Sequence, residues 1–138
     1  DTNGAAEMRF AGVGERRGAS LDLVVTAVSG YVPYNTNVNM INGKFGQVNL
    51  WADHEATLQF CFEDSSTGDA VQLDDFSFVF HDFDNAGELL RERLRVGGME
   101  EYRHALPAPR PPLVLAQFPE GVGCAASAGR SVSLHPAP

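Results

Sequence analysis

Val71-Gln72-Leu73-Asp74-Asp75-Phe76-Ser77-Phe78-Val79-Phe80-His81-Asp82-Phe83-Asp84-Asn85 is the stretch whose reading decides the fold. Taken with period two, Phe76, Phe78 and Phe80 fall on one face, and Asp75, Ser77 and His81 fall on the other. That alternation predicts a half-buried strand feeding a packed core. Continued in phase, Asp82 and Asp84 reach the rim of the core. A carboxylate placed there needs a cation or donor hydrogen bonds.

Working back towards the amino terminus, Thr57 to Glu63 alternates Leu58, Phe60 and Phe62 with Gln59, Cys61 and Glu63, a half-buried strand with Cys61 on its less apolar face. Asp64 to Asp69 supplies turn chemistry, and Ala70 opens the strand quoted above. Phe45 to Ala52 alternates Val48, Leu50 and Ala52 with Gln47, Asn49 and Trp51, which predicts a further strand. Leu21 to Val28 is apolar on both faces except at Asp22 and reads as a central, covered strand. Met8 and Phe10 alternate with Glu7, Arg9 and Ala11 in a short first strand that Gly12 and Gly14 are expected to end, with Glu15 to Gly18 as a turn. Between residues 31 and 43 lies an irregular loop with Tyr31, Tyr34, Asn35, Asn37, Asn39 and Asn42-Gly43. A loop of this length is uncommon in a compact domain unless it is functional or disordered, and its tyrosines argue against disorder.

Towards the carboxyl terminus, Arg93 to Val96, Met99 to His104, Leu113 to Phe118 and Ser131 to Leu134 are strand candidates, although Leu90 and Leu94 would also align on a helix over residues 87–95. Residues 105–112, with Pro107, Pro109, Pro111 and Pro112, predict an extended connector, and residues 135–138 a frayed end. Short strands with turn residues between them predict one all-β domain over residues 1–138, an antiparallel β-sandwich of jelly-roll type.

With 138 residues the chain can bury a core without a staple. Ten basic residues stand against eighteen acidic ones, giving a formal charge of -8. This argues against an electrostatic grip on nucleic acid or an anionic membrane and suits cations and neutral ligands. There is no apolar run of membrane-spanning length, and Asp1-Thr2-Asn3-Gly4 has no signal-peptide pattern, so an export signal is expected to have been removed or to lie outside this sequence. No Asn-X-Ser/Thr occurs. Cys61 and Cys124, the two cysteines, form either one disulfide across a long loop or two buried thiols.

Calcium takes six to eight oxygen ligands, and Asp82, Asp84, Asn85 and Asp22 are the residues that can supply them. The competing structural role is capping of turns at a strand end. The acidic pairs Glu63-Asp64 and Asp74-Asp75 read as solvated edges. His81 has no second histidine at ligand spacing and no nucleophile beside it, so a catalytic centre is not expected. Tyr31, Tyr34 and Trp51, with the amides of Asn35 and Asn37, suit a sugar's mixed C–H and hydroxyl surface; alternatively Tyr31 and Trp51 fill the core edge and the asparagines shape the loop. Arg91, Arg93, Arg95 and Arg103 form a basic line suited to pairing within the chain or with an acidic neighbour.

Met8-Arg9-Phe10 with Gly12-Val13-Gly14, Leu21 to Thr26, Tyr31 with Asn42-Gly43, Phe45 to Leu50, Leu58 to Asp64 and Phe76 to Asp84 together resemble a β-sandwich module recurring in secreted and surface proteins of microalgae and other protists. Leu94 to Gly98 with Tyr102 is similar to the succeeding segment of such modules, whereas the proline-rich connector and the closing strands depart from them. The resemblance implies an extracellular or cell-surface domain for adhesion, matrix or glycan contact, with Asp82-Phe83-Asp84 as its signature. The expected function is a non-catalytic, calcium-stabilised binding module that contacts a glycan or matrix protein. The alternatives are a structural subunit of a larger assembly, completed by a partner chain, and, third, a glycoside-acting enzyme built on paired carboxylates.

Overall fold

β2 (Ala19–Ala27) is the strand from which the core is laid out. In the computed structural model, which describes residues 7–73, 76–80, 91–96, 101–105, 113–118 and 131–137, β2 lies between β1 (Glu7–Arg16) and β5 (Ala56–Asp64). The other strands are β3 (Met40–Asn42), β4 (Phe45–Gln47), β6 (Phe76–Phe80), β7 (Arg91–Val96), β8 (Glu101–Ala105), β9 (Leu113–Phe118) and β10 (Ser131–Ala137). They form a five-stranded sheet in the order β1-β2-β5-β10-β7, a three-stranded sheet in the order β6-β9-β8 and the hairpin β3-β4. Every pairing between these strands is antiparallel. The only helix among the described residues is one 3-10 turn, Thr36–Val38.

β1 runs past the glycines expected to end it. Its register against β2 shifts between Phe10 and Gly14, and Gly12 takes a left-handed φ of 62° inside this bulge. The backbone N–H of Gly12 donates to Asp22 Oδ1 at 3.0 Å, so a side chain satisfies a donor that the ladder has lost. The strand resumes at Gly14 and turns at Arg17 and Gly18, with φ of 50° and 82°. Positive φ at both central residues is the hairpin geometry that matches strand twist.

The β2–β5 register sets two faces. On one, Leu23, Val25 and Ala27 lie opposite Phe62, Phe60 and Leu58, and Met8 and Phe10 of β1 extend the same row. Val25, Ala27 and Leu58 are buried there, with Tyr31, Val48, Phe60 and Phe80 packed against them. On the other face Val24 pairs with Cys61, only 3% and 5% exposed. Cys61, expected on the less apolar face of a half-buried β5, is thus buried on that face, while β2 is covered on both sides as its apolar residues predict.

β6 keeps the alternation read from the sequence, with Phe76, Phe78 and Phe80 half-buried and Ser77 and Val79 exposed. Phe78 meets Phe60 at 5.0 Å between ring centroids, and Phe76 meets Phe62 at 5.0 Å. Each such aromatic pair adds about 0.5–1.5 kcal/mol beyond its buried area. The strand expected to open at Ala70 is divided. Ala70 bridges Glu63 and the N–H of Val71 donates to Phe62 O at 2.8 Å, so these residues stay on the edge of β5. Phe76 to Phe80 pair instead with β9. One straight strand cannot serve both sheets, and the chain changes sheet between residues 71 and 76.

At the carboxyl end β10 continues through residues expected to fray. It pairs with β5 over Ser131 to Leu134 and with β7 over Val132 to Ala137. Pro136 falls beyond the β5 pairing, where the absence of an N–H costs no bond to β5.

Candidate functional site

The asparagine-rich loop is a cross-braced structure centred on Asn49. Asn49 Oδ1 accepts from the N–H of Asn35 at 2.8 Å, and Asn49 Nδ2 donates to Asn35 O at 3.0 Å and Asn39 Oδ1 at 2.5 Å. Its side-chain amide thus pairs with Asn35 as a neighbouring strand would. The backbone of Asn49 is held in turn, its N–H donating to Asn39 Oδ1 at 2.9 Å and its carbonyl accepting from Tyr31 Oη at 2.8 Å. Because both backbone groups of Asn49 bond side chains, β4 stops at Gln47, and the strand expected to run to Ala52 is not formed beyond it. Asn35 also caps the 3-10 turn, its Oδ1 accepting from the N–H of Asn37 at 3.0 Å. The hairpin β3-β4 turns at Gly43, whose φ is 62°.

This bracing positions two aromatic rings at the surface. Tyr34 and Trp51 are 63% and 47% exposed, and their rings meet edge-to-face at 4.8 Å and 79°. The N–H of Trp51 donates to Val32 O at 3.1 Å, which ties the tryptophan to the segment carrying Tyr34. A tight turn comes next: the N–H of His54 donates to Trp51 O at 3.2 Å, His54 Nδ1 donates to Ala52 O at 3.0 Å, and Asp53 adopts a left-handed φ of 63°.

Of the residues singled out for ligand contact, Tyr34 and Trp51 are brought together, and Asn35 and Asn37 lie in the capped turn that follows Tyr34 in the chain. Tyr31 belongs to the framework. Its ring packs on the core, its hydroxyl accepts from Asn39 Nδ2 at 2.5 Å, and burial pushes its pKa up against the pull of Asn39 and Asn49. Sequence reasoning misses Asn49, because its place in an apparent alternating strand disguises it as surface. Asn39 reads there only as one of several turn formers.

A second cluster surrounds Asp22, which is 6% exposed. Oδ1 accepts from Ser65 Oγ at 2.5 Å and from Gly12 N–H, and Oδ2 accepts from Arg9 Nη1 at 3.1 Å. Arg9 Nη2 also reaches Glu63 Oε2 at 2.7 Å. The hydroxyl of Ser65, then the Gly12 amide and Arg9, hold the Asp22 carboxyl below the ordinary carboxylate range despite its burial. Glu63, expected at a solvated edge, is an ion-pair partner. Asp64 caps the next turn, its Oδ1 accepting from Ser66 N–H at 2.8 Å and Ser66 Oγ at 2.6 Å, and these donors hold its pKa down.

Asp82, Asp84, Asn85 and His81 lie outside the described residues, as do Asp74 and Asp75. Among the described residues no group of three or more His, Cys, Asp or Glu side chains is arranged to hold a metal ion. Cys61 is disulfide-bonded, and Cys124, the other cysteine of the sequence, lies outside the described residues. Among the described residues no helix is long and apolar enough to cross a membrane. No protein-family model, curated protein or solved structure matches the chain.

Proposed function

We propose that this chain is a non-catalytic extracellular binding module, a two-layer β-sandwich of jelly-roll type that contacts a saccharide through Tyr34 and Trp51. The observation that carries this is the exposure of both rings on a loop fixed by Asn35, Asn39 and Asn49. An exposed aromatic pair costs solvation, and a prebraced loop loses little entropy on binding, which is the arrangement a weakly polar ligand needs. A sugar offers C–H groups to a ring face and hydroxyls to the flanking amides of the capped turn.

The two-layer architecture is supported by the Phe60, Phe62, Phe76 and Phe78 contacts between β5 and β6. The disulfide at Cys61 favours an oxidising compartment and hence the secreted or cell-surface location. It also accords with the resemblance to protist surface modules. Calcium is assigned to Asp82, Asp84 and Asn85, which come after β6 in the chain. Asp22, whose oxygens already accept three protein donors, is assigned to the framework instead. A structural role within a larger assembly is the second reading, favoured by the exposed Met40, Ile41 and Phe45 of the β3-β4 hairpin.

The test is a glycan array probed with the wild-type chain and with Trp51→Ala. Retention on a defined set of neutral glycans, lost in the variant while its melting curve is kept, is expected. Equal retention of both proteins would remove the aromatic pair from the site.

A further inference from the structure

Building on the saccharide contact proposed above, we infer that the Tyr34–Trp51 corner selects saccharides carrying a free amine, that is, cationic amino sugars. The two rings are not a coplanar platform. At 79° and 4.8 Å they form two walls of a corner, so a flat pyranose can stack on only one of them. A substituent on the rim of that sugar then faces the second wall. A ring face carries negative quadrupole density and attracts an ammonium group, whereas it gives a hydroxyl no comparable gain.

The chain segment that carries the corner has the same sign preference. Between Tyr31 and Glu55 the sequence has one basic side chain, Lys44, at the tip of the β3-β4 hairpin, and two acidic ones, Asp53 and Glu55. Asp53 lies two residues after Trp51, in a left-handed conformation that a non-glycine residue adopts at a cost. The exposed His54 between the two acids has Nδ1 committed to Ala52 O, so in its neutral form the other ring nitrogen is an acceptor. The chain as a whole carries -8, a net charge that favours the approach of a cationic polymer over that of a uronate or sulfated one.

The experiment titrates the wild-type chain, Trp51→Ala and Asp53→Asn with three oligosaccharide sets of equal length: β-1,4-linked glucosamine, its N-acetylated counterpart and an oligouronate, with a lysine-rich peptide as a fourth probe. Glucosamine chains are expected to bind about fivefold more tightly than the acetylated ones at low salt. That margin should shrink with added salt and in Asp53→Asn, and all saccharide binding should be lost in Trp51→Ala. Equal affinity for the amine and its acetamide, or preference for the uronate, would overturn the inference and leave the saccharide contact standing. Binding of the peptide alone, or of no probe, would overturn both.

Discussion

Asp22 is a carboxylate in the middle of a covered strand, and its surroundings explain why it is tolerated. A buried charge is costly unless it is paired and hydrogen-bonded, and three donors meet its two oxygens. Its pKa, like that of Asp64, lies below the ordinary 3.8, so each group is more readily ionised folded than unfolded. The stability they contribute is therefore complete above 3.8 and is lost as pH falls through that value to the depressed one. Ser65→Ala removes the shortest of the Asp22 hydrogen bonds. The variant should melt lower than wild type at neutral pH, and the gap should narrow as pH falls below 3.8 through the depressed value and the carboxyl takes up its proton. A gap of constant size in paired melting curves would show that Ser65 acts through packing alone. Asn49 is the other decisive residue. Asn49→Ala removes three side-chain bonds, each contributing about 0.5–1.5 kcal/mol when partly exposed. Amide exchange over residues 31–49 should then accelerate well beyond that of β2 and β5, a difference read directly by hydrogen-exchange mass spectrometry.

At the scale of elements, β6 is the strand most dependent on aromatic packing. Phe78 contacts Phe60, Phe62, Phe76 and Phe80, and Phe78→Ala should destabilise the chain by about 3 kcal/mol, measured by denaturant unfolding. Phe78→Leu should cost much less, because a large apolar side chain still fills the space. β2, β5, β6 and β9 are legible in the sequence because their apolar residues keep period two or cover both faces, signals that need only near neighbours. The bulge in β1 is not legible. Gly12 looks like a strand end until Asp22, ten residues away, is seen to accept its N–H. The same limit applies at residues 48–52, where alternation predicts a strand and Asn39 and Tyr31 capture the backbone of Asn49 instead. It applies again at β10, whose run through Pro136 depends on β7 as its partner. In each case a bond from a distant residue decides against the local pattern. Of the candidate site, the aromatic residues are visible by type, but their meeting as a corner depends on the Trp51 N–H to Val32 O bond, which no local pattern encodes.

At the scale of the whole molecule, the face at Cys61 is covered and the rings of Tyr34 and Trp51 are exposed, so the proposed contact lies away from the core. If Cys61 is joined to Cys124, the only other cysteine of the sequence, reduction should lower stability by about 4 kcal/mol through the long loop it releases, seen as a drop in Tm under reductant. The calcium assignment predicts a higher Tm in calcium than in chelator, a difference that Asp82→Ala with Asp84→Ala abolishes. Equal melting in the two conditions would remove the ion from the account. The binding claim has a built-in reporter, since Trp51 is the sole tryptophan of the chain. The most direct measurement is its fluorescence emission during titration with oligosaccharides, for wild type and for Tyr34→Ala. A saturable shift of the Trp51 emission that Tyr34→Ala weakens is the predicted result, and an emission unchanged by every saccharide up to millimolar concentration would contradict it.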